Sequence, residues 1–143
     1  MDSKLSIRGS TFIWMGLLIL SLPLNWIGSA FLAALVHECS HLTALRIFHV
    51  PVFRLEIGAA GAVLETGSMT IREELLCALA GPAGSLSLLL VSEWIPRIAL
   101  CGMVQGLFNL IPAGNLDGGR VLRCLIALLF GKKPCKQEKE GVQ

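Results

Sequence analysis

His37-Glu38-Cys39-Ser40-His41 is the run in this chain whose residue types and spacing could do chemistry. Two histidines four residues apart share one face of a helix, so both imidazoles can reach a single metal ion. The glutamate one step round can meet a water on that metal and act as its base. The run reads as helical because Phe31 to Val36 before it and Leu42 to Leu45 after it are apolar. Cys39 falls on the face opposite the ligand side and is not counted as a ligand, and Ser40 has no base partner that would make it a nucleophile.

Two histidines do not complete a catalytic zinc site, which holds three protein ligands and one open position. His49 lies too far beyond His41 to reach the same ion, and the glycine and third histidine of the extended soluble motif are absent. Glu65 could supply the third ligand and Glu56 less well, both from a polar loop. Asp117 is the sharper candidate, because the only other aspartate is Asp2 and Asp117 sits in an unwound stretch between apolar runs. Its plain structural reading is an Asp-Gly turn capping the helix that follows.

The elements that must position these groups are unusually apolar. Hydrophobic residues make up 54% of the 143 residues and charged residues 15%, where an ordinary globular domain carries about 25% charge. No Asp, Glu, Lys or Arg occurs from Gly9 to Val36, from Leu75 to Ser92 or from Ile98 to Leu116, and each run reaches the roughly 18 residues that suggest a bilayer span. Glu38 is the only charged residue between Arg8 and Arg46. A carboxylate deep in a bilayer costs about 2.5 to 3.5 kcal/mol, so its presence there points to function. The net charge of +2 without a basic cluster excludes a nucleic-acid role. Five cysteines without framework spacing read as small buried hydrophobes, not disulfides.

These runs predict an all-α polytopic membrane protein with about four transmembrane helices, the last interrupted. Pro23, Asn25 and Gly28 break the first block into helices near 10–24 and 27–47. A signal peptide cut near Gly28-Ser29-Ala30 is disfavoured, since Phe31 to Val36 carries the apolar character past that point. Alternation at Phe53, Leu55 and Ile57 predicts a small β-hairpin or extended loop between the second and third helices. The third helix runs from Ile71 to Leu90 through Gly81-Pro82-Ala83-Gly84-Ser85, and the fourth from Ile98 to Phe130 with an unwound centre around Pro112 to Arg120. Residues 1–131 form the core and 132–143 a charged, disordered tail. Lys and Arg in the short loops place both termini on the cytoplasmic side.

His37 to His41 on an apolar helix, Gly81-Pro82-Ala83-Gly84 in the next span, and Asn109-Leu-Ile-Pro112-Ala-Gly-Asn-Leu-Asp117-Gly118-Gly119 together resemble the site-2 proteases, the intramembrane zinc metalloproteases of peptidase family M50. The resemblance covers roughly residues 12 to 130 and is nearest to the compact sporulation-factor processing branch. It implies zinc bound by His37, His41 and Asp117, Glu38 as catalytic acid and base, and substrate held by Asn109 and the segment around Pro112. Asn115 stands where the family usually has proline, and two further C-terminal spans of the nearest relatives have no counterpart. The implied activity is hydrolysis of peptide bonds in transmembrane or membrane-associated proteins, in a multi-pass protein of a bacterial cell membrane. A homodimer or a regulatory membrane partner would seal the site. The competing readings are a catalytically inactive metal-binding or scaffolding relative, and a tethered soluble-type peptidase using Glu65.

Overall fold

The computed structural model describes residues 4–7, 23–58, 61–113 and 116–130. The helix expected near 10–24, the hairpin tip at 59–60, Asn115 and the tail beyond residue 130 lie outside the described residues. Strand β1 (Lys4–Ile7) pairs parallel with β2 (Val52–Gly58), which pairs antiparallel with β3 (Gly61–Thr66). The sheet order is β1-β2-β3, which leaves β3 with an unpaired edge among the described residues.

Helix α1 spans Leu24–Ile47. Asn25 and Gly28 do not break it. They fall in its first turns, where the Ser29 hydroxyl donates to the Asn25 carbonyl at 2.8 Å. Its far end closes with the Val50 N–H on the Leu45 carbonyl (3.0 Å) and the His49 N–H on the Arg46 carbonyl (3.2 Å). That pattern needs a left-handed residue, and His49 supplies it at φ 56°. His49 is therefore the exposed residue that ends α1, well away from any ligand role.

Helix α2 (Ile71–Ser87) opens on a reciprocal cap. The Thr70 hydroxyl accepts from the Glu73 N–H, and the Glu73 carboxylate accepts from the Thr70 N–H at 2.8 Å. A 3-10 turn continues it to Val91. Ile71–Val91 is long and apolar enough to cross a membrane, the one such helix among the described residues.

The last apolar block carries the expected interruption, but helix resumes at Asp117, inside the stretch expected to be unwound. It forms two separate helices of 14 residues each, α3 (Pro96–Asn109) and α4 (Asp117–Phe130), each about 21 Å long by helical rise. Helix α3 packs on α1 and α2, while α4 packs on α2. The chain turns tightly between them because Gly118 has no side chain. A Cβ there would overlap the Leu110 carbonyl and come within 2.6 Å of that of Ile111.

Helix α2 is the centre, touching all three other helices. The helix interior is built from small and polar residues: Ser29, Ala33, His37 and His41 from α1, Cys77, Ala78, Gly81 and Ser85 from α2, Gly102 and Gly106 from α3. Large apolar side chains point outward, with Leu90 88% and Trp94 86% exposed while Ser85 is 0% exposed. This inverts the distribution of a water-soluble domain. Small residues along the helix contacts let the backbones approach closely. The four described cysteines, Cys39, Cys77, Cys101 and Cys124, are free.

Candidate metal centre

The buried residues of α1 are Ser29, Ala33, His37, His41 and Leu45, one residue every four. Four residues overshoot a helical turn only slightly, so this row stays on one face and points both histidines at α2. The matching row on α2 is Cys77, Gly81 and Ser85. Gly81 stands opposite the imidazoles. A Cβ there would overlap the His41 ring at Nε2 and lie 2.8 Å from the His37 Nε2.

The residues on either side of Gly81 hold the backs of the two rings. The His41 Nδ1 lies 2.8 Å from the Cys77 carbonyl, which can only accept, so Nδ1 carries the proton and donates it. In the neutral ring Nε2 is then a bare acceptor. The His37 Nδ1 lies 2.9 Å from the Ser85 hydroxyl. The rings meet edge to face, 4.9 Å between centroids and 82° between planes, which brings their Nε2 atoms within 3.3 Å.

Asp117, the first residue of α4, completes the group. Its Oδ2 lies 3.1 Å from the His37 Nε2 and 3.2 Å from the His41 Nε2. The three atoms form a nearly equilateral triangle with edges of 3.1 to 3.3 Å. Ligand bonds of about 2.0 to 2.1 Å around tetrahedral zinc require edges of about 3.3 to 3.4 Å. The donor set therefore fits zinc in size and chemistry: two imidazoles with their far nitrogens hydrogen-bonded, and one carboxylate. All three residues are buried, His37 at 3%, His41 at 7% and Asp117 at 8% exposure. With both imidazoles neutral and protonated at Nδ1, three acceptor atoms at this spacing would repel one another unless a cation lay among them.

Glu38 follows His37 on α1 and is half-buried on the flank of the group. Cys39 is exposed, and the Ser40 hydroxyl donates to the Val36 carbonyl of its own helix at 2.7 Å. Asn109 ends α3 with its amide donating to the Gln105 carbonyl at 3.2 Å, and Pro112 is exposed in the turn that leads to Asp117. Neither joins the ligand triangle. The metal-competent group found among the described residues contains Asp117 as its carboxylate. A cavity of about 20 Å³, room for roughly one water, adjoins His41 and is lined also by Thr66, Cys77 and Arg120. The end of β3 thus reaches the site.

Sequence reasoning missed Ser85 and the Cys77 carbonyl as partners of the rings. The spacing Cys77, Gly81, Ser85 repeats the four-residue step of the histidines and would have marked the facing row.

The family model described as peptidase family M50 matches residues 79–143. A zinc metalloprotease of Methanocaldococcus jannaschii is 28% identical over 141 residues, covering 89% of this chain and 39% of the relative. A candidate zinc metalloprotease of Synechocystis is 36% identical over 119 residues, covering 72% of this chain and 31% of the relative. The chain thus spans 31% to 39% of the length of these relatives. Among solved structures, a site-2 protease from Methanocaldococcus jannaschii shares the fold at a TM-score of 0.71, with 24% identity, 92% of this chain and 71% of that one covered.

Proposed function

We propose that this chain, which belongs to peptidase family M50, the site-2 protease family, is a zinc metalloendopeptidase that hydrolyses peptide bonds of transmembrane or membrane-associated proteins. The observation that carries the reading is the buried triangle of the two Nε2 atoms and the Asp117 Oδ2, with edges of 3.1 to 3.3 Å. His37, His41 and Asp117 hold the metal. Zinc bound there supplies Lewis-acid polarisation of a peptide carbonyl and acidification of a water.

The chain's own residues supply the rest. Glu38 takes the proton of the attacking water and delivers it to the leaving amine. A transmembrane substrate hides its carbonyls in helical hydrogen bonds and must unwind before attack. The edge of β3 that is unpaired among the described residues, and whose last residue Thr66 borders the cavity at His41, supports a role in gripping the unwound segment as an added strand. Asn109, at the end of α3, and Pro112, in the turn before Asp117, contact the substrate on its other flank.

The finer reading is a multi-pass protein with about four spans and both termini cytoplasmic, in a bacterial cell membrane, of the sporulation-factor processing branch. A second copy or a membrane partner closes the site against lipid. The outward-facing Leu90, Trp94, Leu129 and Phe130 support the membrane setting.

The test is zinc content and cleavage of a membrane substrate by the purified protein in detergent, compared with Glu38→Gln. Stoichiometric zinc in both proteins and cleavage by the parent alone is the expected result. Full cleavage by Glu38→Gln removes the proposal.

A further inference from the structure

We propose that Ser85 is a positioning residue for the metal centre: its hydroxyl oxygen accepts a hydrogen bond from the His37 Nδ1–H, which fixes the tautomer that leaves Nε2 open to the metal. The inference rests on the proposed zinc site and adds a residue to it. Ser85 is 0% exposed, and its Oγ lies 2.9 Å from the His37 Nδ1. A serine hydroxyl can donate or accept, so the distance alone leaves two arrangements. Donation to Nδ1 would force the proton onto Nε2 and point an N–H at the Asp117 Oδ2 and the His41 Nε2. Acceptance from Nδ1 leaves the Nε2 lone pair facing the site, as the Cys77 carbonyl does for His41.

The two partners form a matched pair on one helix. Cys77 and Ser85 are eight residues apart, two steps of four along the buried row of α2, and the two histidines are one step of four apart on α1. Gly81, midway between the partners, leaves the space the rings occupy. The backbone carbonyl cannot be removed by substitution, whereas the hydroxyl can. Helix α3 backs Ser85 through Gly106, where an added Cβ would lie 3.3 Å from the Ser85 Cβ.

Partners of this kind typically change metal affinity 10- to 100-fold when removed. The experiment measures zinc affinity of the full chain in detergent by competition with a chromogenic chelator, the visible spectrum of the cobalt-substituted protein, and the melting temperature of the metal-free protein. The variants are Ser85→Ala, Ser85→Cys and Ser29→Ala. Ser29 is a buried serine in the same bundle whose hydroxyl bonds only its own helix backbone.

We expect Ser85→Ala to weaken zinc binding by about 10- to 100-fold and to shift the cobalt bands, with the metal-free melt unchanged. Ser85→Cys keeps the volume but offers a weak acceptor, and it tests the same point should the alanine variant not fold. Ser29→Ala leaves zinc affinity unchanged. Parent-like affinity and cobalt spectrum in either Ser85 variant overturns the inference while leaving the zinc site standing. An equal loss in Ser29→Ala also overturns it, by showing a packing effect. Absence of zinc binding in the parent overturns both readings together.

Discussion

Gly81 faces the His41 ring so closely that a Cβ on it would overlap the His41 Nε2. The metal centre is therefore built against bare helix backbone, and its geometry depends on the absence of a side chain as much as on the presence of three.

Gly81→Ala should displace the His41 ring and break the ligand triangle. Alanine is the better helix former by about 1 kcal/mol, so the helix itself does not suffer. The expected outcome is a chain that purifies and remains helical by circular dichroism but carries little zinc and does not cleave. Retention of stoichiometric zinc would show that the rings can move aside without loss.

Zinc content and cleavage should separate differently at the three carboxylates. Glu38→Gln keeps zinc and loses cleavage by about 10²- to 10⁴-fold, the usual contribution of a general base. Asp117→Asn loses most of both, because the amide is a poorer ligand than the carboxylate. Glu65→Gln loses neither. Metal analysis and a cleavage assay on the same preparations read all three.

Thr70→Ala removes the reciprocal cap of α2 without touching the site. It should cost about 1 kcal/mol of stability, seen as a lower melting temperature in detergent, with zinc affinity unchanged. A large loss of zinc in this variant would mean that the start of α2 governs the position of Gly81 and Ser85.

Proline in the sheet tests the strand grip. Val63 sits in β3, opposite Glu56 of β2, and Val63→Pro takes one N–H out of that strand. Cleavage of a membrane substrate should fall while zinc content stays at the parent level. Unchanged cleavage rates in both Val63→Pro and Ile57→Pro would rule out substrate binding by strand addition.

Much of α1 was legible because its signals are local. The four-residue step from His37 to His41, the apolar flanks and the isolation of Glu38 among uncharged residues can all be read within a few helical turns. The start of α2 was legible for a similar reason, although Thr70 and Glu73 mark it more sharply than the charged run that suggested it. The last block was read less well. Its break around Pro112 was visible, but the return to helix at Asp117 was not, since the close approach of Gly118 to the Leu110 carbonyl is a contact between chain segments.

The sequence by itself determined the pair of histidines on one helix face, the acid-base candidate beside it and the apolar character of the helices that carry them, since helical periodicity and charge spacing act over a few residues. Only the tertiary structure brings Asp117 to the two histidines, and only it revealed Ser85, the Cys77 carbonyl and the space at Gly81. Asp117 meets His37 and His41 across 80 and 76 residues of chain. No local period reports such a meeting, which depends on how closely small residues let α1 and α4 pack on α2.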